Sequence, residues 1–162
     1  MPYRYLEITV ATQTILPTED ALDVVERATA VLARNFELVG RRTDIWADLD
    51  RSEYLLLRTL VEHGPADIRT VAAALGLDPS TAGRQVGGMQ GKGLVDRAPA
   101  EDDRRRSIVT PTAQGRRAMR LTRGRRRTAT KALLGDWADA DLRQLADLLS
   151  RYNQAVTARY LL

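Results

Sequence analysis

Between Leu75 and Ser80 the chain must stop one helix and start another within a few residues, and this demand constrains its fold more than any other feature. Gly76 suits the left-handed position that closes a helix. Asp78 followed by Pro79 starts one, because an aspartate side chain accepts the orphan amides of a first turn and the fixed φ of proline fits that turn. Helical periodicity stands on both sides. Residues 67–75 put Ile68, Val71, Ala72 and Leu75 on one face, and the next helix is expected from Pro79 to about Lys92, closed by Gly93.

Upstream, Asp50 and Glu53 have the spacing of a capping box ahead of the apolar set Tyr54, Leu56, Leu57, Leu60 and Val61. A helix over residues 51–62 follows, stopped by His63-Gly64-Pro65. Downstream, Leu94 to Ala98 and Ser107 to Thr110 read as two short strands around the polar stretch 99–106, a hairpin with a charged tip. Helix, helix, tight turn, helix, hairpin is the layout of a winged helix-turn-helix.

Two long helical patterns flank this module. Residues 1–17 lack sustained period and suggest an irregular or short extended arm ending at Pro17. With Thr18 as N-cap, Leu22, Val25, Ala28, Leu32, Phe36 and Val39 then recur on one face as far as the Gly40 to Thr43 region. After the hairpin a helix is expected over 112–134, interrupted in pattern by Gly115 and Gly124, and a last one capped near Asp139 with Leu142, Leu145, Leu149, Tyr152 and Val156 on one stripe. Apolar stripes on the first and last helices exceed what a small winged-helix core can cover. A two-fold helical interface is the economical use for them. The expected organisation is a mainly α chain: an arm at 1–17, a helical dimerisation region at 18–49 and 112–162, and a winged helix-turn-helix with a two-stranded β wing at 50–111.

Charge is distributed unevenly along these segments. The net charge of +4 divides into −4 for residues 1–63, +8 for 64–130 and 0 for 131–162, so the middle of the chain is a basic block suited to a polyanion. An arginine-rich surface without a partner is the competing explanation, since Lys92 and Lys131 are the only lysines. Cysteine is absent, which excludes disulfides, thiolate nucleophiles and thiol-based sensing, and His63 is the sole histidine. No enzyme, metal or other cofactor is expected. Apolar runs are too short to span a bilayer and no leader pattern opens the chain, so a cytoplasmic location without a membrane partner is the default expectation.

At the level of individual residues the chain resembles the MarR (multiple antibiotic resistance regulator) family. The resemblance lies in Glu62-His63-Gly64, Val71 to Leu77, Ser80-Thr81, Arg84, Gly93 to Arg97, and Asp103-Arg104-Arg105 through Thr112 and Gly115, and it is close over roughly residues 50–120. The long flanking helices match the family's dimerisation elements by pattern. The resemblance implies a homodimeric transcription regulator, a repressor first and an activator as the other sign, binding double-stranded DNA. Two-fold symmetry then asks for a pseudopalindromic operator with half-sites about one helical turn apart. A winged-helix module that binds protein or structured RNA is the alternative.

In a helix-turn-helix the second helix presents its N-terminal residues to the major groove. Here these are Ser80, Thr81, Arg84 and Gln85, with Arg84 and Gln85 as base readers because a guanidinium can grip guanine O6 and N7 in two hydrogen bonds. In the wing, the resemblance implies that Arg105 enters the minor groove, that Asp103 steadies it or caps the turn, and that Arg104 and Arg106 point the other way to phosphate or solvent. Gly83, Gly87, Gly88 and Gly91 depart from the family pattern inside the recognition helix, and Gly88 lacks the common basic residue. Many members bind small phenolic or anionic effectors between dimer helices and DNA-binding lobe. Phe36, Trp46 and Tyr54 lie in segments able to line such a cleft. Arg116 and Arg117, nearest the wing, can add backbone contacts, while the farther arginines suit a solvated face or partners on the acidic first helix.

Overall fold

The computed structural model describes residues 20–100, 103 and 106–161, and the chain divides into two units, Met1–Arg42 and Thr43–Leu162. The described part of the first unit is one helix, α1 (Ala21–Arg42), which has no buried residue. Asp20 Oδ1 accepts the Leu22 amide at 3.1 Å at its start. The arm at 1–17 and the expected Thr18 cap lie outside the described residues. Leu22 is 74% exposed and Phe36 55%, so the stripe read from the sequence is an uncovered apolar face.

The second unit runs α2 (Arg51–His63), β1 (Ala66–Asp67), α3 (Ile68–Leu75), α4 (Pro79–Gly91), β2 (Val95–Pro99), β3 (Ser107–Pro111), α5 (Ala113–Leu134) and α6 (Asp139–Tyr160). The capping box forms in full: Asp50 Oδ1 accepts the Glu53 amide at 2.9 Å, and Glu53 Oε2 accepts the Asp50 amide at 3.0 Å. Gly76 takes the left-handed conformation, φ 64°, and so ends α3 where a Cβ would be strained. Two residues later Asp78 accepts the Thr81 amide and opens α4. The expected winged helix-turn-helix is thus borne out, and the tight turn joins α3 and α4 as the Gly76 and Asp78 signals require.

The sheet is larger than expected. Besides the β2–β3 hairpin, paired from Val95↔Pro111 to Pro99↔Ser107, β1 joins β3 through Ala66↔Val109 and Asp67↔Ile108, giving the order β1-β3-β2. A two-residue strand has no alternation to display in sequence, and the helical pattern of residues 67–75 absorbs its second residue. Asp67 instead sits in extended backbone and caps α3 by accepting the Thr70 amide.

The core of this unit lies where α2, α3, α4 and the sheet converge, around Leu56, Leu57, Leu60, Val71, Val86 and Val109. Burying each of these side chains contributes about 1.5–3 kcal/mol. Leu49, 1% exposed, belongs to the same cluster although it precedes the capping box, and Val61, expected inward, is 40% exposed. Helix α6 buries nothing, and its stripe includes Leu149 at 39% and Tyr152 at 55% exposure. Its cap also differs. Ala138 is the N-cap without a side-chain bond, and Asp139, the expected cap, is the first helical residue, paired with Arg143 at 2.7 Å. Among the described residues no helix is long and apolar enough to cross a membrane, and no group of three or more carboxylate or imidazole side chains is placed to hold a metal.

Candidate nucleic-acid interface

The first turn of α4 is organised by one carboxylate. Asp78 Oδ1 accepts the Thr81 amide at 2.9 Å and the Ser80 hydroxyl, and these bonds, the hydroxyl foremost, hold its carboxyl well below the usual carboxylate range. The charge therefore persists at any physiological pH. Thr81 Oγ1 in turn accepts Arg84 Nη2 at 2.9 Å, so Arg84 is exposed yet held on the surface of α4 beside Ser80. Pinning a long side chain beforehand reduces the rotamer entropy lost on contact. Gln85 behaves differently. It is half-buried, and its Oε1 is shut from solvent without a hydrogen-bond partner, so its carboxamide must turn outward to meet a base edge.

The wing begins beside this helix. Met89 O accepts the Leu94 amide at 2.9 Å as the chain leaves α4, and Ala100 donates to Arg106 O at 2.9 Å across the hairpin tip. Arg106 donates its amide to Asp103 O at 2.9 Å, so Asp103 does take part in closing the turn, through its backbone. Arg104 and Arg105 lie outside the described residues. Arg106, expected at phosphate or in solvent, instead places Nη2 at 2.8 Å and Nε at 3.1 Å from Asp67 Oδ2. β1 brings the α3 cap beside β3, which puts the Asp67 carboxylate within hydrogen-bond reach of Arg106.

Asp67 thus joins the helix-turn-helix to the wing through one side chain. The Thr70 amide first, and then Arg106, depress its carboxyl from 3.8 to about 2. Because the folded value is the lower one, this stabilisation is present above about pH 4 and disappears as pH falls towards 2. Unfolding midpoints measured down that range should fall more steeply for the parent than for Asp67→Asn, which keeps a capping oxygen without the charge. Parallel curves would show that the ionised pair contributes nothing.

A second strut fixes the other end of α4. Lys92 Nζ lies 2.6 Å from Glu53 Oε1, the Lys92 carbonyl accepts Gln114 Nε2 at 3.1 Å, and Thr112 Oγ1 donates to Gly93 O at 2.7 Å. The end of α4 is therefore tied to both α2 and α5. Trp46 and Tyr54 meet edge to face at 6.1 Å, and the Arg126 guanidinium lies 4.9 Å and 5.2 Å from their ring centroids. Phe36, grouped with these aromatics in the sequence reading, belongs to the first unit. Neither Asp67 nor Arg126 was singled out from sequence, where 39 residues separate Asp67 from Arg106 and 72 separate Tyr54 from Arg126.

Comparison with known proteins agrees with this geometry. Residues 47–106 match the model of the MarR family. An uncharacterised HTH-type transcriptional regulator of Bacillus subtilis, YxaD, is 28% identical over 140 residues, covering 86% of this chain and 98% of its own. The crystal structure of RV1404 from Mycobacterium tuberculosis is 28% identical with a TM-score of 0.68, covering 85% of this chain and 95% of that one. The PcaV transcriptional regulator of Streptomyces coelicolor, solved in complex with its natural ligand, is 28% identical with a TM-score of 0.61, over 77% and 91% of the two chains.

Proposed function

We propose that this chain, a DNA-binding transcriptional regulator of the MarR type, acts as a homodimeric repressor that reads a pseudopalindromic operator with one α4 helix per half-site. The observation that carries the reading is the first turn of α4. Asp78, Thr81 and Arg84 are linked there by hydrogen bonds that hold an exposed guanidinium on the first turn of the helix, which suits a guanine edge. Ser80 and Thr81 serve as the phosphate contacts, Arg84 and an outward-turned Gln85 as base readers. In the wing, Arg105 takes the minor groove, Arg104 a phosphate, and Asp103 the turn that aims them. Arg106 sets the wing root through Asp67. The uncovered apolar faces of α1 and α6 support dimerisation through residues 18–49 and 112–162.

Selection from genomic fragments tests this directly. Recovered fragments should share an inverted repeat and bind at least about 10³-fold more tightly than random DNA. Arg105→Ala should reduce the steepness of the salt dependence by about 1.8, the share of one phosphate-equivalent charge from each protomer of the dimer. No preference over random DNA would defeat the operator reading, and an unchanged slope would remove the wing from it.

The Trp46–Tyr54 pair under Arg126 supports an effector response, because two rings and a cation can take an aromatic carboxylate. The ligand-bound structure of the PcaV regulator is consistent with such a response in a similar fold. A ligand shifts DNA binding only if it prefers one of the two states. Benzoate should weaken operator binding by the parent and leave Arg126→Gln unaffected. Equal responses would place the effector elsewhere.

A further inference from the structure

Helix α5 carries eight cationic residues and no carboxylate along its 22 positions. The structure sorts them onto different faces. Arg125 pairs with Asp44 at 3.1 Å and with Asp48, and Arg126 lies over Trp46 and Tyr54, so these two cations are used within the protein's own body. Arg116, Arg120, Arg123, Arg127 and Lys131 form a second set, all exposed, and Arg117, also exposed, lies outside both sets. Their steps of four, three, four and four keep them within an arc of roughly 80° along about 22 Å of helix. That arc points away from Gly115, Met119 and Thr122, the buried residues of α5.

Arg116 turns its guanidinium to the Pro111 carbonyl. The side chains of the other four make no hydrogen bond or ion pair with any described residue of the second unit. Like charges three and four positions apart repel, and no acidic neighbour on the helix relieves the repulsion. Four of the five are arginines, whose planar forks match phosphate oxygens better than an ammonium does. A ridge of this composition is complementary to a regularly spaced polyanion. Thr112, the α5 N-cap, directly follows β3, so the ridge extends from the root of the wing.

We propose that the α5 ridge of Arg120, Arg123 and Arg127 binds the phosphate backbone of DNA flanking the base-read operator, enlarging the footprint without adding sequence preference. The inference rests on the DNA-binding reading given above. A second copy of this chain is the rival occupant, and the experiment separates the two.

The parent and the triple variant Arg120→Gln, Arg123→Gln, Arg127→Gln are titrated across a salt series against two duplexes, the selected site alone and the same site with about 15 added base pairs on each side. The parent should bind the longer duplex more tightly, by on the order of 10-fold at low salt, with a steeper salt dependence. The variant should lose that advantage, its slope on the longer duplex falling by about 5.4 for three phosphates per protomer of the dimer. The charge-preserving triple Arg→Lys variant should restore it. Affinity for the short duplex stays near that of the parent. Equal slopes for parent and variant on the longer duplex overturn the proposal. So does a shift from dimer to monomer in light scattering, which assigns the ridge to the subunit contact. If neither duplex is preferred to random DNA by the parent, the operator reading fails instead.

Discussion

Gly115→Ala is expected to lower the unfolding midpoint by about 6–12 °C, corresponding to roughly 3 kcal/mol in a domain of this size. A Cβ at this position would overlap the Leu94 carbonyl oxygen and come within 3.1 Å of Leu57 Cδ2. The obstacle is backbone that already has other duties. Leu94 O accepts the Thr112 amide at 3.1 Å, and Thr112 Oγ1, which donates to Gly93 O, accepts the Gly115 amide at 2.9 Å. Moving α5 away from β2 to admit a methyl group therefore strains the cap of α5 and the entry to the wing together. A loss of this size is a large share of the roughly 5–15 kcal/mol that holds such domains folded. Thermal melts followed by circular dichroism would measure it, and an unchanged midpoint would mean that α5 can tilt without cost.

Gly115 also shows where reading the sequence stops. Helical propensity marks it as a weak point in a long helix, and nothing in the neighbouring residues shows that the carbonyl of Leu94, 21 positions earlier, lies against it. Local signals fared better. The Asp50–Glu53 box, Gly76 and the Asp78–Pro79 start depend on contacts within three or four residues, and each forms as expected. What escaped was non-local. The strand β1 is defined only by its register with β3, and the Asp67–Arg106 and Glu53–Lys92 pairs each close across 39 residues. The arginines of α5 lie between these cases. Their division into an inward pair and an outward ridge follows from the burial of Met119 and Thr122, whose period is present in the sequence but hidden by charge on nearly every turn.

Replacing Gly87, Gly88 and Gly91 together with alanine should move stability and operator binding in opposite directions. No heavy atom lies within 4 Å of a Cβ built at any of the three, and none has a positive φ. Alanine fits there without strain and restricts the unfolded chain, at about 0.4–1 kcal/mol per site, so the triple variant should be more stable by about 1–3 kcal/mol. At 100° per residue these glycines share the face of α4 that carries Ser80 and Arg84, opposite the buried Ala82, Val86 and Met89. In the proposed operator reading that face enters the major groove, where added methyl groups would hold the helix away from base edges and weaken the Arg84 contact. Operator affinity should fall by at least about tenfold, the effect of losing part of one bidentate base contact. Gly83 lies towards the edge of that face, so Gly83→Ala should raise the melting temperature with little change in binding. Both effects can be read on one protein preparation, by melting and by titration at fixed salt. If the triple variant gains stability and keeps its affinity, α4 does not approach DNA through its glycine face, and Arg84 must reach the bases from a helix held farther out.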